Sequence, residues 1–124
     1  MTDATKIEQA HTACAGMPGA VLEFPFGDDA AVYKVGGKIF ALATINDEPG
    51  YVTLKVDPDD GIVLRAENDF IREGYYMNKR HWITVDLVDG APVDAVRDLI
   101  EDSCRLVAAS LTRAQRAELR IVTP

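Results

Sequence analysis

Two adjacent glycines, Gly36 and Gly37, stand between two apolar stretches of the chain, 31–35 and 38–45. Paired glycines supply the positive φ angles that a two-residue turn requires, so this arrangement predicts a β-hairpin. Apolar residues occupy both alternating faces of 38–45, which favours a central strand of a sheet. The alternation predicts Ile39, Ala41 and Ala43 on one face of this strand and Phe40 and Leu42 on the other.

The rest of the chain supplies helices and further strands around this hairpin. Apolar residues at helical spacing predict helices, and strict alternation predicts strands. Asp57 followed by Pro58 is typical of a helix start, and Thr112 can cap a final helical piece. The predicted helices cover 3–16, 58–67 and 92–111, and the predicted strands cover 20–26, 31–35, 38–45, 51–56 and 82–87. This order predicts a single α+β domain over residues 1–124, a two-layer sandwich whose antiparallel sheet carries helices on one face.

Composition restricts the partners of such a domain. With 48% hydrophobic and 27% charged residues, the chain is typical of a soluble globular protein and is not a disordered one. Thirteen Lys and Arg against twenty Asp and Glu give a net charge of −7, which repels nucleic acid and anionic membranes at long range but allows a local basic patch. The sequence shows no leader peptide and no apolar run of membrane-spanning length. We therefore expect a cytoplasmic protein with no membrane partner.

The only tryptophan, Trp82, follows His81, which in turn follows two cationic residues, Lys79 and Arg80. Strand alternation turns Ile83 toward the core and Trp82 toward the opposite, open face of the sheet. An exposed aromatic ring beside cations has the composition of a nucleic-acid stacking platform. The alternative is that Trp82 covers the strand end and that the cations form a solvated turn. The candidate binding residues of this surface are Tyr51, Lys55, Lys79, Arg80, His81 and Trp82.

A second basic feature lies near the end of the sequence. Arg113, Arg116 and Arg120 recur at i, i+3 and i+7, which places them on one face of a helix. Such a stripe suits phosphate groups, and Arg113 and Arg116 are the candidate phosphate contacts. The alternative is a set of cations near a helix C-terminus that form local ion pairs, and the interleaved Glu118 favours it.

Residues suited to metal binding or catalysis do not form a recognisable site in the sequence. His11 and Cys14 have the only ligand-like spacing, and both Cys14 and Cys104 fall near apolar helix stripes, where free cysteine behaves as a small hydrophobe. Ser103 and Ser110 lack the strand-turn-helix setting of a catalytic serine. We therefore expect no metal, no cofactor and no enzymatic activity.

Several segments, in this order and spacing, resemble the MmcQ/YjbR family of small bacterial proteins. The segments are Met17-Pro18-Gly19-Ala20, Pro25-Phe26-Gly27, residues 34–41, Val52-Thr53-Leu54-Lys55, residues 77–85 and residues 99–103. The resemblance implies an α+β fold of the CyaY-like or secretion-chaperone-like type, and it implies DNA binding. One departure is Cys104, which stands where relatives often have tyrosine.

Two hypotheses for function follow. The first is a DNA-binding module in which Lys79, Arg80 and Trp82 contact DNA, with Arg113 and Arg116 on phosphates. An acidic domain can bind DNA in this way only if its two basic patches lie on one face. The second is a non-catalytic module that binds another protein or a small ligand through the exposed sheet face around Trp82.

Overall fold

The structure is a computed structural model that describes residues 5–25, 27, 30–45, 50–74 and 78–115. Within these ranges the elements are α1 (Lys6–Ala15), β1 (Val21–Glu23), β2 (Ala30–Val35), β3 (Lys38–Thr44), β4 (Tyr51–Lys55), α2 (Pro58–Glu67), β5 (Ile71–Glu73), β6 (Trp82–Asp86) and α3 (Val93–Ala109). The strands form one antiparallel sheet in the order β1-β2-β3-β4-β6-β5. The predicted α+β class and the central position of β3 are confirmed. The sequence did not predict β5, which lies in a stretch that reads as irregular.

Local side-chain contacts explain where the helices begin. Thr5 caps α1, because its hydroxyl accepts the N–H of Glu8 at 3.1 Å, so α1 begins at Lys6. The predicted start at Asp3 lies outside the described residues. Asp57 caps α2 as predicted, with Oδ1 accepting the N–H of Asp59 at 3.0 Å. Thr112 and Gln115 each accept the other's backbone N–H, at 3.1 and 2.9 Å, which is a capping box for the predicted final helical piece.

The glycine pair forms the turn between β2 and β3. Gly36 and Gly37 have φ angles of 59° and 80°, which confirms the hairpin predicted from them. Gly36 has a second role, since a Cβ at this position would lie 2.6 Å from the Leu111 side chain. The hairpin turn therefore packs closely against the segment that follows α3.

The hydrophobic core lies between the sheet and the helices. α3 packs against β3 and β4, and α1 packs against α3. Val85 and Ile83 of β6 belong to this core together with Ile100 of α3, as alternation in β6 predicted. Burial of aliphatic side chains of this size supplies most of the favourable free energy of folding.

A β-bulge interrupts the alternation in β3. Tyr33 pairs with Ala41 and Lys34 pairs with Ile39, so Phe40 is an extra residue without a partner in β2. Phe40 and Ala41 are both fully buried in the core. The predicted assignment of Phe40 to the face opposite Ala41 is therefore wrong, because a bulge shifts the phase of the side chains by one residue.

The face of the sheet opposite the helices is buried at its centre. Val32, Leu42, Thr53 and Thr84 are consecutive cross-strand partners, and none of them is more than 6% exposed. The hydroxyl oxygens of Thr53 and Thr84 lie 3.0 Å apart and share a hydrogen bond. The prediction of an open, exposed sheet face is thus wrong for its central row.

Candidate functional site

Three strand ends meet at one edge of the sheet, and two of them carry candidate residues. Because neighbouring strands are antiparallel, β3 begins where β4 ends and β6 begins. This edge therefore receives Lys38, Lys55 and Trp82. Lys55 and Trp82 are direct cross-strand partners, so their Cβ atoms lie about 5 Å apart. The strand register, which the sequence does not reveal, thus brings an aromatic ring and an amine together.

A turn just before β6 presents three further candidates. The N–H of Arg80 donates to Oδ1 of Asn78 at 2.9 Å, and the N–H of His81 donates to the Asn78 carbonyl oxygen at 3.2 Å. An asparagine that accepts from the backbone two residues ahead is a common way to hold a tight turn. Lys79, Arg80 and His81 are all exposed on it.

Trp82 is half-buried, and its backbone is approached closely by Gly74. The N–H of Gly74 donates to the carbonyl oxygen of Trp82 at 3.0 Å. A Cβ at position 74 would lie 2.6 Å from Cβ of Trp82 and 2.9 Å from its carbonyl carbon and oxygen, which is too short for any real contact. A glycine is therefore required here. The residue keeps part of its surface accessible to solvent at the edge of the sheet.

Tyr51 lies at the opposite end of β4 and belongs to a different cluster. Its register partner is Asp86, whose carboxylate accepts two hydrogen bonds of 3.1 Å from Nε of Arg72. The Arg72 guanidinium carbon lies 5.5 Å from the centroid of the Tyr51 ring, which is a cation–π distance. Because Tyr51 and Lys55 are four residues apart on one strand, about 13 Å separates them. The structure does not bring Tyr51 together with the other candidates.

The end of α3 reaches the same edge as Lys38. Nζ of Lys38 donates to the carbonyl oxygen and to the hydroxyl of Ser110, at 3.4 and 3.3 Å. Arg113 follows three residues after Ser110 and is exposed. Arg116, the other predicted phosphate contact, lies outside the described residues. We define the basic edge as Lys38, Lys55, Lys79, Arg80 and Arg113.

Carboxylates lie near both edges of the sheet. Near the basic edge are those at the start of α2, Asp57, Asp59 and Asp60, together with Glu73, whose oxygen lies 3.8 Å from Nζ of Lys79. The opposite edge, where β6 and α2 end and α3 begins, carries Glu67, Asp69, Asp86, Asp89, Asp94 and Asp98. Two cations there are already paired, Arg72 with Asp86 and Arg97 with Asp94. In the described part of the chain, carboxylates therefore lie at both edges, and Asp57, Asp60 and Asp102 line a cleft together with Lys55.

His11 and the two cysteines have structural roles. Nε2 of His11 lies 2.9 Å from the carbonyl oxygen of Thr44, to which it must donate, so in the neutral ring Nδ1 accepts from the Tyr33 hydroxyl at 2.7 Å. Burial and the nearby Cys104 raise the pKa of the Cys14 thiol to about 12, and burial raises the pKa of Cys104 as well. Neutral, buried thiols are poor nucleophiles and poor metal ligands.

Neither a metal-ligand group nor a membrane-spanning helix occurs among residues 5–25, 27, 30–45, 50–74 and 78–115. Among those residues no three His, Cys, Asp or Glu side chains are grouped as metal ligands. Over the same ranges, each helix is too short or too polar to cross a bilayer.

A residue with an unexpected role is Ser103, in the middle of α3. Its hydroxyl donates to the carbonyl oxygen of Phe40 at 2.6 Å and accepts the N–H of Lys55 at 2.8 Å. Ser103 is fully buried and thereby joins β3 to β4 at the bulge. A hydrophilic residue on the apolar stripe of α3 is the only sequence signal for this role, and that signal does not identify its partners.

These features define a small two-layer α+β domain with a six-stranded antiparallel sheet. The chain belongs to the YjbR family, whose family model matches residues 15–106. It is 34% identical over 113 residues to YbdF of Escherichia coli O157:H7, described as an uncharacterized protein, and the match covers 91% of this chain and 93% of that protein. It is 27% identical over 103 residues to YjbR of E. coli K12, also described as uncharacterized, covering 83% and 87% respectively.

Two solved structures have the same architecture. The crystal structure of the Deinococcus radiodurans protein DR2400, described as a DUF419 domain, superposes with a TM-score of 0.81 at 35% identity and covers 90% of this chain and 86% of that one. A Pseudomonas syringae protein gives a TM-score of 0.62 at 31% identity, covering 71% and 86%. The similarity therefore covers most of the chain and agrees with the α+β fold.

Proposed function

We propose that this chain is a non-enzymatic, cytoplasmic DNA-binding protein that contacts the phosphate backbone through the basic edge. The observation that carries the proposal is the convergence of cations from four separate parts of the chain at one edge of the sheet. Lysine and arginine side chains that neutralise phosphates provide most of the affinity of sequence-independent DNA binding. Both basic features of the sequence contribute a residue to this edge, Arg80 from one and Arg113 from the other.

The net charge of −7 does not prevent this mode of binding, because of distance and screening. β4 has five residues and is about 17 Å long, so the carboxylates at the opposite edge lie about that far from the basic edge. The Debye length at physiological salt is about 8 Å. A phosphate at the basic edge is thus screened from most of the distant carboxylates, while it remains close to Lys79 and Arg80.

Trp82 gives the edge a second means of contact. A half-buried indole beside Lys55 can stack on an unpaired base, which contributes about 1–3 kcal/mol per base in single-strand binders. Paired bases in a duplex do not offer their faces in this way. We therefore expect tighter binding to single-stranded than to duplex DNA.

The test is a titration of the protein with single-stranded and duplex oligonucleotides, followed by the emission of its only tryptophan. If four cations contact phosphates, the slope of log K against log salt is about −3.6 for a duplex, which is roughly a 150-fold loss of affinity from 50 to 200 mM salt. Absence of binding at 50 mM salt contradicts the proposal. Binding without salt dependence contradicts the phosphate contacts.

Paired variants locate the binding surface. Lys79→Ala/Arg80→Ala removes two phosphate contacts, which reduces the slope for duplex DNA by about 1.8. Arg65→Ala/Arg97→Ala removes the same charge from helices outside the basic edge and serves as the matched control. Equal loss of affinity in both double variants means that net charge alone governs binding, and the basic edge is then not the site.

A second candidate function, binding of another protein, is favoured by β1. This strand is an edge of the sheet, and Val21, Leu22 and Phe24 are 51%, 46% and 50% exposed. An edge strand with apolar side chains can accept an added strand from a partner. If the partner is a second copy, sedimentation equilibrium finds a dimer that Leu22→Glu abolishes, whereas a monomer at ~1 mM excludes self-association through β1.

A further inference from the structure

A cleft of about 490 Å³ lies between α1 and α3, and it shares no residue with the basic edge. Its lining includes Ala10, Leu87, Ala91, Val96 and Ile100, each at most 7% exposed. Ala13 of α1 and Gly16, which follows α1, leave the space that longer side chains would fill. The volume lies within the range of about 300–1,000 Å³ that is usual for small-molecule sites.

Cationic side chains from both helices line this apolar cleft. Nζ of Lys6 donates to the carbonyl oxygen of the buried Ala91 at 2.6 Å, so the ammonium group is held against the cleft wall. An ammonium has three N–H donors, and two of them are left for a ligand. Arg97 of α3 also lines the cleft, and its guanidinium pairs at 3.2 Å with Asp94, whose side chain is 91% exposed.

We propose that the α1–α3 cleft binds a small amphiphile that has one carboxylate and an unbranched apolar chain of medium length. The carboxylate would accept from Lys6 and Arg97, and the chain would lie on the apolar lining residues. A charged head fits because a carboxylate on an ammonium or guanidinium forms a charge-assisted hydrogen bond, which is stronger than a neutral one. An apolar tail fits because the rest of the lining offers few polar groups.

The test uses hexanoate, octanoate and decanoate below their critical micelle concentrations. Octanol, which has the chain length of octanoate but no charge, is the control ligand. Calorimetric titration should show affinity rising roughly fourfold for each buried methylene until the chain fills the cleft. Octanoate should bind at least tenfold more tightly than octanol, and methyl NMR signals of Met17 and Val93 should shift. Equal affinity for octanol and octanoate overturns the role of the cations, and shifts elsewhere in the protein overturn the site.

Two kinds of variant separate the head and tail contacts. Lys6→Gln should reduce octanoate affinity about tenfold and leave octanol affinity unchanged, because only the carboxylate uses the ammonium. Ala13→Leu should abolish binding of both by filling the cleft, whereas Ala66→Leu, an exposed helical alanine outside the cleft, should not. Unchanged octanoate binding in a folded Ala13→Leu protein overturns the proposal. If Ala13→Leu does not fold, the comparison of octanoate with octanol in Lys6→Gln still decides the outcome.

Discussion

Ser103→Ala tests whether a single hydroxyl on α3 completes the sheet. The substitution removes the donor to the Phe40 carbonyl oxygen and the acceptor for the Lys55 N–H. The bulge leaves Phe40 without a partner on β2, and the paired residues of β3 and β4 end at Ala41 and Leu54. Both backbone groups would therefore remain buried without a hydrogen bond.

The cost follows from the number of groups affected. Each buried backbone group without a partner costs about 1–3 kcal/mol, so two such groups cost about 2–6 kcal/mol. Alanine is a better helix former than serine by roughly 0.5 kcal/mol, which offsets part of the loss. We expect the free energy of unfolding to fall by about 2–5 kcal/mol.

Urea unfolding followed by Trp82 emission measures this change. With a slope of about 1–3 kcal/mol per molar urea for a domain of this size, the midpoint should fall by roughly 1 M or more. Ser110→Ala is the matched control, because Ser110 is exposed and water can replace its hydroxyl. A Ser103→Ala midpoint equal to that of Ser110→Ala refutes the reasoning, since the strands would then not depend on the hydroxyl.

Two further predictions concern close packing and buried ionisable groups. Gly74→Ala should destabilise the protein by about 1–3 kcal/mol and shift the Trp82 emission, because the new Cβ has no space beside the Trp82 backbone. If thermal unfolding and emission are both unchanged, the close approach of Gly74 to Trp82 does not constrain this position. Since burial raises the pKa of Cys14 to about 12 and that of Tyr33 to about 12, both groups stay protonated in the folded state at pH values where the unfolded chain has lost its protons. The melting temperature should therefore fall as pH rises from about 9 toward 12, and it should fall less steeply in the Cys14→Ala variant. If the melting temperature falls equally steeply with pH in both proteins, the Cys14 thiol has no part in the pH dependence.

Local patterns in the sequence predicted most of the secondary structure. The hairpin follows from Gly36 and Gly37 because the turn depends only on the φ angles of those two residues. The start of α2 follows from Asp57 and Pro58 for the same reason, since a cap involves groups two or three residues away. β5 was missed because its three residues carry too little alternation to be recognised, and its pairing with β6 gives it order.

The candidate site was predicted in part. Lys55 and Trp82 were both named from the sequence, and the register of β4 against β6 makes them neighbours. Tyr51 was named with them but lies at the other end of the same strand, beside Arg72 and Asp86. The role of Ser103 could not be predicted, because its partners are 48 and 63 residues away along the chain.

By itself, the sequence determined the order of the elements other than β5, the face of β6 that enters the core and the acidity of the chain, because each depends on neighbouring residues or on composition. Only the tertiary structure decided that Lys38, Lys79 and Arg113 share one edge and that the centre of the second sheet face is buried. Strand order and register arise from contacts between distant segments, and the same local pattern is compatible with several pairings. The bulge at Phe40 also depends on a contact between distant segments, because Ser103 of α3 donates a hydrogen bond to the Phe40 carbonyl oxygen.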